Sequence, residues 1–244
     1  MNVRLCLRFL LAVVLSLSVA YVLLVVLVRV HESAVRSRSE AMYTEFLKLQ
    51  IGETSKADVE KLLKRFAGSL TESVECKDTD CLYTIGDVWG YSRWFLLTRY
   101  AHDHMPSSQL TFKTSGSLLS NASFTVGVTV PKGYGTREER MRLSDPNYVP
   151  YSSGRYWLFG RASLVSALPE GCCGSREYRI SGPSGCTNCL AIWVSALPTL
   201  APDKRRQVFD INFDCMTRWP LCTDKEDIMP TAGREKAAEI PSAY

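Results

Sequence analysis

Residues 55–85, SKADVEKLLKRFAGSLTESVECKDTDCLYTI, decide the fold class, because the hydrophobic period changes within them. Their first part carries four apolar residues at the i, i+3, i+4, i+7 spacing of one helix face: Val59, Leu62, Leu63 and Phe66. Ser55 and Asp58 have the spacing of a capping box, and Gly68 stands where a helix-ending residue is expected. The pattern predicts a helix that begins at Ser55 and ends before Gly68.

After Gly68 the apolar residues alternate with polar ones, which is the period of a half-buried β-strand. Two such segments, residues 73–76 and 81–85, flank the four turn-forming residues Lys-Asp-Thr-Asp. A hairpin with this turn places Cys76 and Cys81 at facing positions, where the Cα atoms of a disulfide approach to about 5.5 Å. The sequence therefore predicts a β-hairpin with a local disulfide.

Five further segments have the pattern of a regular element: a helix over residues 33–50, strands over residues 89–100, 124–130 and 209–215, and a short helix over residues 223–230. Helices followed by strands predict an α+β domain with a mainly antiparallel sheet. We expect four parts: a signal anchor over residues 1–30, a helix pair over 31–70, a cysteine-containing β-rich domain over 71–230 and a mobile tail over 231–244.

Residues 9–28, FLLAVVLSLSVAYVLLVVLV, contain no charged side chain. A helix rises about 1.5 Å per residue, so a segment of this length spans the roughly 30 Å hydrocarbon core of a bilayer. A buried helix of a soluble protein is rarely apolar on all sides for so many turns. These residues therefore predict a single transmembrane helix in contact with lipid.

Cleavage of this segment as a signal peptide is the alternative, since Ser18, Val19 and Ala20 resemble a small-residue cleavage site. A further apolar run follows Ala20, and cleavage there would leave an apolar N-terminus. The length of the segment therefore favours an uncleaved signal anchor.

The charge distribution is informative about partners. Of 29 basic and 25 acidic side chains, three basic ones and no acidic one lie in residues 1–30, so residues 31–244 carry a net charge of only +1. Such a balance argues against a nucleic-acid partner, which requires clustered positive charge. Arginines stand on both sides of the apolar segment, so the positive-inside rule gives no orientation: Arg4 and Arg8 before it, and Arg29, Arg36 and Arg38 after it.

Nine cysteines are present, and Cys6 precedes the apolar segment. The other eight form three local groups: Cys76 and Cys81; Cys172, Cys173, Cys186 and Cys189; Cys215 and Cys222. Behind a signal anchor such cysteines are expected to form disulfides, which places residues 31–244 outside the cytosol. We expect Cys76 to pair with Cys81 and Cys215 with Cys222, whereas the pairing of the middle four stays open.

The middle cysteines have two alternative roles, as zinc ligands or as a redox-active pair. Zinc binding would suit a cytosol-facing domain, although the adjacent Cys172 and Cys173 lack the usual two-residue spacing between ligands. Cys186 and Cys189 have the Cys-x-x-Cys spacing of thiol-redox proteins, but they lack the preceding strand and following helix of that motif. Structural disulfides remain the favoured interpretation.

Residues 49–63, LQIGETSKADVEKLL, followed by a strand-like segment with Trp89 and Tyr91, resemble the helical opening of the BamE-like envelope proteins. In that family a Gly-x-Thr turn, here Gly52-Glu53-Thr54, starts a helix that packs on a small antiparallel sheet. The resemblance covers about residues 49–98 and implies a helix pair on a sheet in a protein of the cell envelope. The cysteine-rich part of the chain has no counterpart in the family.

His102 and His104, at i and i+2, are the candidate metal ligands, but no motif supplies a third ligand. Neither a Gly-x-Ser-x-Gly elbow nor a glycine-rich phosphate loop is present. We therefore predict a non-catalytic binding or envelope-assembly protein without a cofactor, whose partners are the bilayer and another envelope protein. The alternative is an enzyme that uses a metal at His102 and His104 or thiol-redox chemistry at Cys186 and Cys189.

Overall fold

The computed structural model describes residues 3–66, 71–87, 106–131, 155–168, 178–181, 189–217, 222 and 224–239. The helices are α1 (Val3–Lys48), α2 (Lys56–Phe66), α3 (Pro202–Val208), α4 (Lys225–Ile228) and α5 (Pro230–Glu239), with a 3-10 helix at Phe213–Met216. The strands are β1 (Thr71–Lys77), β2 (Asp80–Asp87), β3 (Ser107–Ser115), β4 (Leu118–Pro131), β5 (Arg155–Val165), β6 (Tyr178–Ser181) and β7 (Cys189–Ala196). The predicted α+β class is confirmed.

The strands form one mixed sheet in the order β1-β2-β3-β4-β5-β7-β6. Neighbouring strands run antiparallel except β5 and β7, which pair in parallel. A parallel pair requires a crossover connection, and β6 lies in the chain between β5 and β7. The consecutive antiparallel run from β1 to β5 is the part that local sequence patterns anticipate.

One face of the sheet forms the core. On it, Leu110 of β3 stands opposite Phe124 of β4, and Phe112 stands opposite Ala122, and all four are fully buried. The residues between them on the same strands point to the other face and are less buried, as expected for a sheet with one covered side. The predicted strand over residues 124–130 therefore lies at the centre of the sheet.

The core face is covered by the second half of α1. This helix is continuous because residues 3–48 contain neither glycine nor proline. Val35, Met42 and Phe46 on one stripe of this helix belong to the core, and Val28 is buried at the start of the same half. The helix predicted over residues 33–50 is therefore the end of a longer helix, and the boundary expected at residue 30 is not a break in the backbone.

Helix α2 begins with the predicted capping box. The Asp58 backbone N–H donates to Ser55 Oγ at 3.2 Å, and the Ser55 hydroxyl donates to Asp58 Oδ2 at 2.7 Å. The Ser55 backbone N–H completes the exchange at 3.4 Å from the same carboxylate oxygen. Val59 and Leu63 of the predicted apolar stripe are buried. The helix ends at Phe66, and Gly68 lies outside the described residues.

These hydrogen bonds make the stability of the cap pH-dependent. The side-chain and backbone donors of Ser55 lower the pKa of Asp58 from its ordinary value of 3.8. The stability that the ionised Asp58 contributes is thus fully present above pH 3.8 and is lost as the pH falls through the lower pKa of the folded state. We expect Asp58→Asn to reduce the loss of stability between pH 5 and pH 3, as measured by urea unfolding. Glu53→Gln, which removes a carboxylate but keeps the cap, should retain the wild-type loss, and equal behaviour of the two variants would contradict the assignment.

The strand predicted over residues 209–215 is wrong. Phe209 and Cys215 are fully buried, as the alternation suggested, but the backbone hydrogen bonds of this segment go to helix ends. The Phe209 N–H donates to the Arg205 carbonyl of α3, and the Asn212 N–H donates to the Ile228 carbonyl of α4. The segment crosses the end of the core between α3 and the 3-10 helix, so buried residues alternate without a neighbouring strand.

The C-terminal prediction is corrected in part. The short helix expected over residues 223–230 is present as α4, but the chain then continues as α5 instead of a mobile tail from residue 231. Pro230 occupies the first position of α5, where a missing N–H costs nothing, and Ala232 is buried. The strand predicted over residues 89–100 lies outside the described residues.

Candidate functional site

The first candidate site is the exposed half of α1. Among the described residues, α1 is the helix long and apolar enough to cross a membrane. Between Leu7 and Leu27 its large apolar side chains are 41–67% exposed, with Phe9 reaching 72%, except for Leu24 and Val25, which are partly buried. Apolar exposure of this extent is typical of a membrane anchor or a signal sequence and not of a water-facing helix.

The burial of α1 in the domain begins at Val28, although Val30 is still 63% exposed. Leu27 is 51% exposed, whereas Val28 is 2% exposed. One residue further, Arg29 donates to the Thr217 carbonyl at 3.0 Å and contacts the Glu32 carboxylate at 3.2 Å. Glu32 itself is fully buried. The α+β domain therefore begins directly at the end of the apolar segment, without a linker.

Two more arginines join α1 to the domain. Arg36 lies 2.7 Å from both Glu40 of its own helix and Asp214 of the 3-10 helix. The hydrogen bond to Glu40 and the charges of both carboxylates raise the pKa of Arg36. Arg38 forms an ion pair with Asp87 at the end of β2. The three arginines that follow the apolar segment are thus each paired with a carboxylate.

At the other end of α1, the guanidinium of Arg205 satisfies backbone carbonyls. Its Nε donates to Leu200 at 2.8 Å, its Nη1 to Leu49 at 2.5 Å and to Leu47 at 3.3 Å, and its Nη2 to Pro198 at 3.1 Å. The residue is 2% exposed, and burial lowers its pKa. Arg205 thus caps the last turn of α1 and ties it to the connection between β7 and α3.

The second candidate site is the hairpin of β1 and β2. Cys76 faces Cys81 in the strand register, and the two form a disulfide with Cα atoms 4.1 Å apart. Asp78 in the turn has a positive φ of 55°, a conformation that aspartate tolerates better than most residues. Lys56, the first residue of α2, places its Nζ 3.4 Å from Cys81 Sγ. A cation is therefore in contact with one sulfur of the pair.

The polar groups beside this disulfide come from α2 and β2. The hydroxyl of Tyr83 donates to Glu60 Oε1 at 3.2 Å, and burial together with this hydrogen bond raises the pKa of Tyr83. Lys56 is held in position by its backbone N–H, which donates to the Ser117 carbonyl at 2.8 Å. The sulfurs thus lie beside a lysine fixed by the turn between β3 and β4.

The second predicted pair, Cys215 and Cys222, also forms a disulfide, with Cα atoms 5.3 Å apart. Both cysteines are buried, at 0% and 3% exposure, next to the 3-10 helix. Both members of this pair are therefore buried in the core, whereas in the hairpin pair Cys81 is buried and Cys76 is exposed.

The other predicted site residues are not brought together by the described structure. His102, His104, Cys172, Cys173 and Cys186 lie outside the described residues, and Cys189 is the first residue of β7. In the described part of the chain, no three residues of the His, Cys, Asp and Glu types are grouped as a metal site would require.

Arg205 and Lys56 carry no local sequence pattern that would identify them as site residues. Arg205 belongs to the run Asp-Lys-Arg-Arg, which reads as a solvated helix surface, and no local pattern distinguishes it from its exposed neighbour Arg206. Lys56 had a weak signal, since it begins the helix whose start the capping box fixes. Its contact with Cys81, however, depends on how α2 packs on the sheet.

No family model matches the chain, and neither a curated protein nor a solved structure is significantly similar to it.

Proposed function

We propose that the chain is a single-pass membrane protein whose residues 9–28 cross a bilayer, with residues 31–244 outside the cytosol. There the α+β domain acts as a non-catalytic binding or envelope-assembly protein. The observation that carries the proposal is the change along α1, from a largely exposed apolar surface before Val28 to a helix face that is buried in the domain from Val28 onward. Insertion into a bilayer would stabilise the apolar surface of residues 9–28, because it removes these side chains from water.

Retention of the segment, instead of its removal as a signal peptide, is supported by the continuity of α1. Cleavage after Ala20 would leave the exposed Tyr21, Val22, Leu23, Val26 and Leu27 at the start of the helix that covers the core. A soluble product with such an end would be prone to association. The uncleaved helix avoids this exposure.

The non-cytosolic side is supported by the cysteines. Two pairs lie at disulfide geometry, and disulfides persist in oxidising compartments. The binding role is supported by the continuity of α1, because a helix without a linker would hold the domain directly at the membrane surface. The part of the proposal that concerns envelope assembly rests on the resemblance over residues 49–98.

The topology can be tested by thiol labelling in intact cells that express the full chain. We expect a membrane-impermeant maleimide to label few cysteines of residues 31–244 before treatment with an impermeant reductant and many after it. Cys6 lies on the other side of the apolar segment and should be labelled only after lysis. The labelling that is lost in a Cys6→Ser variant is the labelling of Cys6.

Three outcomes would contradict the proposal. Labelling of Cys6 in intact cells, with residues 31–244 protected, would reverse the orientation. Full labelling of the distal cysteines without reductant would exclude the disulfides. Recovery of the protein in the soluble fraction without residues 1–20 would show a cleaved signal peptide.

A further inference from the structure

The two disulfides differ in their exposure to solvent. Cys215 and Cys222 are both buried, whereas Cys76 is exposed on β1 and its partner Cys81 is only 3% exposed. β1 is an edge strand, so in the described structure only β2 pairs with it. A reagent in solution can therefore approach Cys76 from the side of the sheet edge.

The hairpin disulfide is also chemically asymmetric. The ammonium group of Lys56 contacts Cys81 Sγ at 3.4 Å, on the buried side of the pair. A neighbouring cation stabilises a thiolate and lowers the pKa of the corresponding thiol. In thiol–disulfide exchange, the sulfur that leaves as the more stable thiolate leaves faster. Exposure therefore favours attack at Cys76, and Lys56 favours departure of Cys81.

We propose that Cys76 and Cys81 form a thiol–disulfide exchange site that accepts two electrons from a dithiol of a peptide or protein. In the first step, a partner thiolate bonds to Cys76 Sγ, the bond between Cys76 and Cys81 breaks, and its electron pair goes to Cys81 Sγ, which remains as a thiolate beside Lys56. In the second step, the other partner thiolate attacks the partner sulfur of the mixed disulfide and releases Cys76.

The products of the two steps balance. The partner leaves with an internal disulfide and is oxidised by two electrons, and the two cysteines of the hairpin are reduced. The partner thiols give up two protons to solvent, which are available to the released cysteine sulfurs. This activity goes beyond the proposed binding function, and it depends on the hairpin disulfide and on Lys56 of α2.

The experiment uses the purified full chain in detergent and dithiothreitol as the dithiol probe. Samples are quenched with an alkylating agent over time and digested with trypsin, which separates the members of each pair at Lys77 and at Arg218. We expect Cys76 and Cys81 to become alkylated at least about tenfold faster than the buried Cys215 and Cys222. Equal rates for the two pairs would overturn the proposal.

The direction of attack is tested with glutathione, a monothiol that stops at the mixed disulfide. We expect the glutathione adduct on the peptide with Cys76 and the alkylated thiol on the peptide with Cys81. An adduct found mainly on Cys81 would overturn the assignment of the two sulfurs.

The role of Lys56 is tested with Lys56→Met and with the control Lys64→Met, which removes an exposed lysine from the same helix. We expect Lys56→Met to slow opening by dithiothreitol about three- to fivefold and to raise the pKa of the Cys81 thiol in the reduced protein, measured from the pH dependence of its alkylation. Lys64→Met should match the wild type, and matching rates and pKa values for the two variants would overturn the role of Lys56. Urea unfolding of both variants shows whether the fold is intact.

Discussion

Replacing Arg205 with methionine is expected to lower the free energy of unfolding by about 3–5 kcal/mol, which is a large part of the stability of a typical domain. Methionine keeps the apolar stem of the side chain but donates no hydrogen bond. The substitution would leave the carbonyls of Leu47, Leu49, Pro198 and Leu200 without the donor that now reaches all four. Buried carbonyls without a donor carry their full desolvation cost.

The measurement is urea unfolding of the full chain in detergent, followed by tryptophan fluorescence. Arg206→Met is the matched control, because Arg206 is the exposed neighbour in the same turn of α3, and we expect it to change stability by less than about 0.5 kcal/mol. Arg205→Lys should fall between the two, since a compact ammonium lacks the planar fork that serves carbonyls on both sides. Equal stability of Arg205→Met and Arg206→Met would refute the capping role.

The double substitution Leu15→Arg and Val19→Arg is expected to release the protein from membranes. Both side chains lie near the middle of the apolar segment and are 67% and 52% exposed. An arginine at the centre of a transmembrane helix costs roughly 3 kcal/mol, so the pair disfavours insertion by about 5–7 kcal/mol. The expected result is a shift of most of the chain from the pellet to the supernatant after carbonate extraction.

The control for this experiment is Leu15→Ile with Val19→Ile, which keeps the segment apolar and should stay in the pellet. Neither Leu15 nor Val19 belongs to the buried core, so both variants should keep the packing of the domain. A double-arginine variant that remains fully membrane-bound would show that residues 9–28 are not the anchor. Extraction of the wild-type chain by carbonate would also show that residues 9–28 are not the anchor.

Local elements were predictable where one periodic pattern coincides with one packing environment. Val59 and Leu63 on α2 repeat at the helical period, and the capping residues stand next to them in the sequence. The hairpin could be predicted for the same reason, because Cys76, the turn and Cys81 are close in the chain. In each case the information needed lies within about a dozen residues.

Features that depend on distant parts of the chain could not be predicted. The alternation from Phe209 to Cys215 has the period of a strand, but no neighbouring strand is available there, and only the packing of α3 and α4 shows this. Arg205 is polar in a polar run, and its burial results from the approach of the α1 end, more than 150 residues away in sequence. The arginines after the apolar segment likewise resembled topology signals, although Arg36 and Arg38 pair with residues far along the chain.

The unbroken α1 has a mechanical consequence for a membrane-anchored chain. A domain on a flexible tether tumbles freely and samples a hemisphere of positions above the bilayer. Here the same helix leaves the apolar segment and runs on for about 30 Å along the core. Under the proposed topology the domain would therefore turn only together with the membrane-spanning part of α1. The domain would meet binding partners only by lateral diffusion, within a thin layer next to the bilayer. A force applied to the domain would be transmitted through α1 to the apolar segment.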